Sequence, residues 1–513
     1  MGKIRHPDVV GDRVTETQWE ADSFHLIDDI ASLSIVRSAT VIVSASDSSA
    51  QDKAQSDFIC GSDAYAKIIE ALAAFTSGTF LFLPGTYTIS AYIPWSKSDC
   101  LVMGYGAEFK RSATTELFVV SSCDRATFRG FKLNGSSLSD DGFRITSGTS
   151  NIWLDDLEIT SCDGGGTYGG GAIRASTGGT GTIRNIWVTH CYIHDNPDFA
   201  GVLATTDVSY IYVDHNIFDT NAKSVIFDTS PSYGRISYNL MIYDGGMVHL
   251  ESATNIDVIG NVGLNSSDSG SAGLGAEGVG ILADGASDRH RIYHNTVLNA
   301  GDDGIQTASE GETGYNYVKD AADQGYSISP HGHPYSMIGD TAESCDDGGF
   351  MFQPSGDNLV YTSLRAIDNT GFGIRSDTCD DSTFVNPYST GSTYGFYSGN
   401  GGLRTNILGG YLGGNTNAIT LASGSTLNRV RNVLGYVTEN SGTSSITSGQ
   451  TTKVVAHGLA TTPTRIDINF REQGTSDYGR WWVDTIGATN FTLNVSADPG
   501  ASNLDFAWRA EVY

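Results

Sequence analysis

The runs "VIFD" (residues 225–228), "VHLE" (248–251) and "GILAD" (280–284) decide the fold. Counted from Val225, Val248 and Ile281, the first and third residues of each run are apolar and the fourth is acidic. This order fits a β-strand whose alternate side chains face a core. Related runs such as "GFMF" and "GFGIRS" recur between stretches rich in Asn, Asp, Ser and Gly. The chain therefore repeats one strand-and-turn unit.

The first apolar residue of these runs recurs along the chain and would face the core. Its positions are Phe143, Ile173, Val202, Val225, Val248, Ile281, Ile305, Tyr326, Phe350, Ile374, Phe396 and Ile419. Most steps are close to the 23 residues that separate Val225 from Val248. A period of about 20–30 residues with β-type alternation indicates a solenoid. No helical segment alternates with the strands, so we expect an all-β parallel β-helix and not a leucine-rich repeat.

Paired aspartates precede several of these strands. The copies are "SDDGF" from Ser139, "GDDGI" from Gly301 and "CDDGGF" from Cys345, with "YDGGMV" from Tyr243 as a variant. Paired carboxylates suit a glycosidase or a metal site, but Asp and Gly also suit tight turns. Because the motif recurs at coil boundaries, we interpret Asp302 and Asp303 as turn residues and not as one catalytic centre.

The chain divides into four expected segments. They are an N-terminal attachment or oligomerisation segment (1–40), the start of the solenoid with a cap helix (41–100), the parallel β-helix (101–437) and a C-terminal module (440–513). The cap helix is predicted in "SDAYAKIIEALAAF", where Ile68, Ile69 and Leu72 form an apolar stripe. After a polar stretch at 441–452, which is a linker or a first turn, five alternating strands suggest a small antiparallel β-sandwich.

The charge is strongly negative. Asp and Glu number 58 against 30 Lys and Arg, which gives a net charge of −28. Such a surface fits a protein that stays hydrated in strong salt, where repulsion is screened within ~3 Å at 1 M. The alternative is an ordinary acidic secreted protein. In either case we expect no binding to nucleic acid, because no basic patch is present to release counterions.

The seven cysteines are widely spaced and form no C-x-x-C motif. We expect free, buried thiols and neither a zinc site nor a disulfide scaffold. No apolar run approaches the ~20 residues of a membrane span, and "MGKIRHPDVVGD" lacks the apolar stretch of a signal peptide. We expect a soluble protein that is not exported by a visible signal.

Four stretches resemble known proteins. "SDAYAKIIEALAAFTSGTFLFLPGTYTIS" (62–90) resembles the start of pectate-lyase-like right-handed parallel β-helix proteins. The lead-in "VIVSASDSSAQDKAQSDFICG" (41–61) looks like that of such proteins from archaeal viruses. "VVGDRVTETQWE" (9–20) and the segment from "VVAHGLATTPTRIDI" (454–468) to Tyr513 are similar to the first and last parts of many virus tail and fibre proteins.

The resemblance implies a virion surface protein, tailspike- or fibre-like, from a tailed virus of halophilic archaea. It implies a homotrimer whose residues 1–40 attach to other virion proteins and which recognises a host-surface glycan or glycoprotein. One alternative is a glycan depolymerase, either a glycoside hydrolase or a lyase. Another is an architectural capsid decoration. The superfamily includes hydrolases, lyases and plain binding proteins, so the resemblance leaves open whether the chain is an enzyme.

The motifs of polygalacturonase-type β-helix enzymes are incomplete here. Such enzymes carry Asn-Thr-Asp, paired Asp, Gly-His-Gly and Arg-x-Lys motifs on neighbouring coils. This chain has Asp302 with Asp303 and, later, "SPHGHP" with His331 and His333, but it lacks the first and last motifs. We therefore read His331 and His333 as part of a surface loop, with a ligand or metal role as the alternative.

Three carboxylates are expected to form an outward ladder. Asp228, Glu251 and Asp284 each stand three residues after an inward residue, so they should point outward on successive coils ~4.8 Å apart. Neighbouring acids at that spacing suit a retaining glycosidase, and the outer two, about 10 Å apart, suit an inverting one. Mutual repulsion would raise one pKa, as a general acid needs. His249 is expected on the same face. The alternatives are a structural site for Ca²⁺, Na⁺ or K⁺ and a plain hydrated surface; the sequence implies no certain cofactor.

Aromatic residues provide the second candidate binding surface. Tyr394 and Tyr397 cluster on a late coil. Trp481 and Trp482 are adjacent, so alternation should send one side chain into the sandwich and one outward, beside Arg480. An exposed aromatic plate with polar neighbours suits a sugar. A contact between subunits is the alternative for an outward Trp.

The acidic composition predicts salt-dependent stability. If the charge is a salt adaptation, transfer from molar salt to dilute buffer should unfold the protein or dissociate its assembly, because carboxylate repulsion loses its screening. Circular dichroism melts across a salt series measure this. Full thermal stability in dilute buffer would contradict the adaptation.

Overall fold

Successive coils of the solenoid pair in register, so that equivalent residues form columns along it. A computed structural model describes residues 40–163, 170–178, 181–197, 200–266, 278–284, 287–308, 310–329, 335–353, 359–377, 381–399, 405–421, 429–471 and 478–512. The described residues form a right-handed parallel β-solenoid of about 13 turns, followed by two small antiparallel sheets. The expected all-β class is therefore confirmed. Among these residues, no helix has the length and apolarity needed to cross a bilayer.

A complete coil contributes one strand to each of three parallel sheets, here called sheets 1, 2 and 3 in chain order, and the ends of the solenoid add further strands to sheets 1 and 3. The strands of sheet 1 are Thr40–Ser44, Phe58–Ile59, Gly78–Phe82, Cys100–Met103, Asp124–Arg129, Thr149–Asp155, Ile183–Thr189, Val208–Asp214, Ser232–Ser237, Thr254–Ile259, His290–Tyr293, Gly311–Gly314, Tyr335–Ile338, Val360–Thr362, Thr383–Val385, Asn406–Leu408 and Arg429–Arg431.

The other two sheets complete the wall of the solenoid. The strands of sheet 2 are Gly85–Ile89, Ala107–Arg111, Lys132–Ser139, Glu158–Asp163, Tyr192–His194, Ile217–Asp219, Leu240–Ile242, Val262–Leu264, Thr296–Leu298, Tyr317–Lys319, Thr341–Glu343, Arg365–Ile367 and Tyr388–Thr390. The strands of sheet 3 are Ile93–Trp95, Phe118–Val120, Phe143–Ile145, Gly171–Ala175, Ala200–Thr205, Lys223–Asp228, Val248–Glu251, Ile281–Ala283, Ile305–Thr307, Gln324–Ile328, Gly348–Phe352, Phe372–Ser376, Tyr394–Ser398 and Asn417–Leu421.

The inward column read from the sequence is confirmed residue by residue. Each of the twelve residues from Phe143 to Ile419 pairs in register with the next. All are buried except Ile419, which is partly exposed. Burial of each large apolar side chain contributes roughly 1.5–3 kcal/mol, so the column is a main source of cohesion between coils.

A buried asparagine ladder fixes the turn between sheets 1 and 2. It consists of Asn216, Asn239, Asn261, Asn295 and Asn316 and ends at Asp340. The side-chain amide of each asparagine donates to the side-chain oxygen of the next member at 2.9–3.0 Å. The same amide donates to a backbone carbonyl, so the buried polar groups are paired. The residue before each member has a positive φ of 53–71°.

The recurring glycine before the inward residue is required by close approach. A Cβ on Gly304 would lie 2.2 Å from a methyl carbon of Val318 and 2.7 Å from the carbonyl oxygen of Gly325. No side chain fits that space without moving sheet 2 or the next coil. This explains why "DGF" and "DGI" recur at the start of sheet 3 strands.

The paired aspartates lie on separate coils, as interpreted from the sequence. Asp141 and Asp303 are buried, and each accepts a backbone N–H from the next coil, from Gly171 at 2.8 Å and Gln324 at 3.0 Å. Asp346 and Asp347 are exposed, so the third copy does not share this role.

The first end of the solenoid carries the expected helix at Tyr65–Ala74, preceded by a short helix at Ala50–Gln55 that was not predicted. Ile68, Ala71 and Leu72 are buried, whereas Ile69 is only partly buried. Residues 1–39 of the expected N-terminal attachment or oligomerisation segment lie outside the described residues. Of the seven cysteines, the six in the described residues are free and buried, and Cys379 lies outside them.

The C-terminal module has six strands where five were predicted. One antiparallel sheet consists of Glu439–Ile446, Arg465–Phe470 and Leu504–Glu511, and the other of Thr452–Ala456, Trp481–Asp484 and Asn490–Val495. The reading of 441–452 as a linker or first turn is wrong for 441–446, since Glu439–Ile446 pairs along its length with Leu504–Glu511. Ile446 is the only apolar side chain of this edge strand, which hid its alternation. Both sheets share one apolar core around Phe491, as expected of a sandwich.

Asp340 makes stability depend on pH. Burial raises the pKa of Asp340 to about 7, against ~3.9 in an unfolded chain. Between these values the native state binds the extra proton, so the free energy of unfolding falls as pH rises. Asp340→Asn extends the asparagine ladder and should gain about 2 kcal/mol over the native protein at pH 8 but little at pH 4. Denaturant titrations at both pH values measure the difference.

The exposed Asp320→Asn variant is the control and should show no such pH-dependent gain. An Asp340→Asn protein that is less stable than the native protein at pH 8 would contradict this account of the ladder.

Candidate functional site

The carboxylate ladder forms at the expected place on sheet 3. Asp228 pairs in register with Glu251, and the backbone N–H of Asp284 donates to the carbonyl of Leu250 at 2.8 Å. The three acids therefore occupy consecutive coils. Asp228 and Glu251 are partly exposed and Asp284 is exposed, so all three side chains reach the surface.

Glu251 is electrostatically coupled to both neighbours. Partial burial raises the pKa of Glu251 from its ordinary value, and the charges of Asp228 and Asp284 raise it further. Such a carboxyl holds its proton to higher pH than an isolated one, which is what a general acid requires.

His249 belongs to the outward face but is buried. Its side chain is 4% exposed, and burial together with the charge of Lys223 lowers the pKa of His249 to about 4. Nζ of Lys223 lies 3.5 Å from Nδ1, while Nε2 has no hydrogen-bond partner among the described residues and lies 4.0 Å from Oε2 of Glu251. His249 is thus a neutral imidazole behind the ladder.

The acids that could hold a cation lie elsewhere. Among the described residues, two groups bring oxygens within 4.8 Å of one another: Glu116, Asp140 and Asp141, and Asp302, Asp303 and Asp323. Arg144 bonds to Glu116 at 2.6 Å, so the first group is already balanced by a cation. In the second group burial raises the pKa of Asp303 to about 7. Oxygen ligands of this type suit Ca²⁺.

The predicted aromatic residues do not join the ladder. Tyr394 and Tyr397 lie on sheet 3 five coils beyond Ile281, about 24 Å at ~4.8 Å per coil. Their rings are 5.4 Å apart, and the Arg375 guanidinium lies 5.8 Å from the Tyr397 ring. His331 and His333 lie outside the described residues.

Trp481 and Trp482 are both about half exposed, at 45% and 46%. Trp481 contacts Phe470 on the core side of the sandwich, with ring centres 5.8 Å apart. Trp482 stands opposite Asn494 on the outer side. As expected, one ring points into the sandwich and the other points outward. Trp481 is nevertheless half exposed, because it lies at the end of its strand.

A long groove lies on sheet 1 and was missed by the sequence interpretation. It has a volume of about 820 Å³, within the ~300–1,000 Å³ of ligand sites. Its floor is one outward column in which successive coils place Tyr212, Arg235, Asp257, Arg291 and Glu312. The groove therefore runs along the solenoid axis for several coils.

A second column forms one wall. It contains Tyr210, Tyr233, Asn255 and Arg289, each with a positive φ of 54–58° that turns the side chain outward. The rings of Tyr210 and Tyr233 stack at 5.4 Å, which covers one face of Tyr233. The other face turns toward the next coil, where the smaller Asn255 stands. Tyr233 is 53% exposed and so presents a flat apolar surface to the groove.

Polar pairs stand beside this aromatic surface. Arg291 forms two hydrogen bonds with Asp257, at 2.7 and 2.5 Å. Arg235 lies 5.8 Å from the Tyr212 ring, whose opposite face stacks on Trp187. Fixed donors and acceptors next to an aromatic plate can bind the hydroxyls and the apolar face of a sugar at once.

The groove and the ladder meet at one corner of the solenoid. Only residues 252–254 separate Glu251 from Asn255 along the chain. Glu251 faces outward from sheet 3, whereas Asn255 lines the groove on sheet 1. The two candidate surfaces are therefore adjacent but look in different directions.

No family profile and no curated protein matches the chain. Similar solved structures include a tailspike mutant of E. coli bacteriophage HK620 with a pentasaccharide (11% identity, 88% of this chain, 90% of that chain, TM-score 0.47). Others are the tailspike of Acinetobacter baumannii bacteriophage AP22 with a capsular saccharide (9%, 99%, 100%, 0.41) and DFA-IIIase from Arthrobacter chlorophenolicus A6 (13%, 77%, 99%, 0.43).

Proposed function

We propose that this protein is a virion surface protein, tailspike- or fibre-like, that binds a host-surface glycan in the groove on sheet 1. The observation that carries the proposal is the open face of Tyr233 beside the Arg291–Asp257 pair. An apolar plate next to fixed polar groups is the arrangement that pyranose rings require. The groove's length along the axis suits several consecutive sugars.

The viral setting of the proposal rests on the sequence. Residues 9–20 and the C-terminal module resemble parts of virus tail and fibre proteins, and the acidic composition fits a halophilic archaeal host. We propose that residues 1–40 attach the protein to the particle and that it works as a homotrimer. An elongated solenoid suits this role, because it holds a binding surface at a distance from the attached end.

A glycan depolymerase is the second candidate. It is favoured by the coupling of Glu251 with Asp228 and Asp284 and by the buried, unbonded Nε2 of His249 behind them. Carboxylates on neighbouring coils match the short separation used by retaining glycosidases, about 5–5.5 Å. A glycan held in the groove would run past the corner that carries these acids.

The groove predicts a requirement for Tyr233. Tyr233→Asn should weaken glycan binding about tenfold, because it removes aromatic stacking on the sugar worth about 1–1.5 kcal/mol. Asparagine tolerates the positive φ of this position, so the backbone should stay in place. Glycan-array binding followed by calorimetry on the best ligand measures the effect.

Tyr315→Asn is the matched control. Tyr315 is also 53% exposed, has a φ of 55° and stacks on one neighbour, His294, but it does not line the described groove. Its variant should bind as the native protein does. Equal losses in both variants, or no loss in either, would place the glycan elsewhere.

The second candidate predicts a loss of product without a loss of binding. If the ladder is catalytic, Glu251→Gln should lower the release of reducing ends or unsaturated sugars at least about a hundredfold. Binding should persist, since the groove is intact. Glu70→Gln, on the exposed face of the cap helix, is the control. If the native protein binds glycan saturably but releases no product, it is a plain receptor-binding protein. If it neither binds glycan nor releases product, it is an architectural decoration.

A further inference from the structure

The charges around the groove determine which glycans it can accept. Three arginines contribute to its described lining: Arg235, Arg289 and Arg291. Each has a carboxylate close by, at 3.7 Å for Asp214, 3.1 Å for Asp288 and 2.5 Å for Asp257, respectively. The positive charges are therefore already matched by acids of the protein.

Two further carboxylates line the same groove. Glu310 and Glu312 flank Gly311 on the coil after Arg291. Arg291 is held by two bonds to Asp257, and Glu312 lies beside Tyr293, whose pKa it helps to raise. Three carboxylates therefore line the described groove, and those of Asp214 and Asp288 stand beside its arginines, so that five carboxylates surround three arginines. His290 adds no charge near neutral pH, because burial lowers its pKa to about 4.

The surroundings reinforce this excess. Asp228, Glu251 and Asp284 stand on the adjoining corner, only four or five residues before Tyr233, Asn255 and Arg289 in the chain. The whole protein has a net charge of −28. An acidic sugar in the groove would meet like charges, and only the guanidinium N–H groups that the protein's own carboxylates leave free could bind it.

We infer that the groove selects uncharged glycans, such as hexose or N-acetylhexosamine chains, and excludes uronate or sulfated ones, with Glu310 and Glu312 as the selecting residues. This inference rests on the proposed function of the groove. Neutral hydroxyls can use the Arg–Asp pairs without breaking them, because they donate to the carboxylate and accept from the guanidinium. An anion can use only the arginine, and it is repelled by both glutamates.

Matched glycan pairs test the inference. The probes are uronate-containing oligosaccharides, oligogalacturonate and hyaluronan fragments among them, and the same molecules after chemical reduction of each carboxyl to a hydroxymethyl group. The reduction keeps the linkages and removes the charge. Neutral gluco-, manno- and chito-oligosaccharides complete the array. Binding is measured at the lowest salt concentration at which the protein remains folded, because salt screens the effect.

We expect uncharged members to bind at least about tenfold more tightly than their acidic parents. The double variant Glu310→Gln with Glu312→Gln should narrow that gap several-fold, and Glu70→Gln, outside the groove, should leave both the gap and the binding of uncharged glycans as they are. Tyr233→Asn should weaken binding of every ligand of the groove.

The outcomes separate the two claims. If acidic glycans bind as well as or better than their reduced forms, and Tyr233→Asn still weakens their binding, the selectivity is overturned and the proposed function stands. An unchanged gap in the double variant would overturn the role of the two glutamates. If no member of the array binds, or if Tyr233→Asn has no effect, the proposed function fails and the inference fails with it.

Discussion

The in-register parallel pairing of successive coils is the constraint on which the rest of the structure depends. Because each coil stacks on the one below at ~4.8 Å, a residue type that repeats in the sequence becomes a column in space. One such column, from Phe143 to Ile419, builds the core, and another, from Asn216 to Asp340, ties the turns together. The same pairing places Asp228 beside Glu251 and Tyr210 beside Tyr233, so core and surface share one cause.

The columns also explain how function and stability compete in this fold. Stacking like side chains favours aromatics and amides, whose faces and dipoles attract one another, but it disfavours carboxylates, whose charges repel. The structure moderates that repulsion by alternating signs along the groove floor, where Arg235, Asp257, Arg291 and Glu312 follow one another. The ladder from Asp228 to Asp284 lacks such alternation. Partial burial and the charges of Asp228 and Asp284 raise the pKa of Glu251, and the charge of Lys223 only partly opposes them.

Much of the fold followed from the sequence because its signals are local and repeated. Strand periodicity, the coil period and the glycine before each inward residue all lie within short windows, so the inward column and the outward ladder were predicted correctly. The asparagine ladder was also visible, in pairs such as "HN" at His215 and "YN" at Tyr238, but it was not recognised. The strand Glu439–Ile446 was missed because its outward residues are polar and so resemble a linker.

The groove could not be predicted in the same way. Its residues come from several coils whose spacing varies, and the long step from Val248 to Ile281 breaks the period in the middle of the site. Tyr210 and Tyr233 also lie outside regular alternation, since their positive φ turns them out of the strand. His249 was expected at the surface and does belong to the outward face of its strand, but it is buried. The period of the sequence shows which face a residue belongs to and does not show what covers that face.

The most direct test of the central claim is a structure of the protein with oligosaccharides eluted from cells to which it adheres. The account predicts sugar density along the groove on sheet 1, with a ring on the open face of Tyr233 and hydroxyls bonded to Arg291 and Asp257. Sugar bound on sheet 3, on the Trp481–Trp482 surface or between subunits, with the groove on sheet 1 unused, would contradict it.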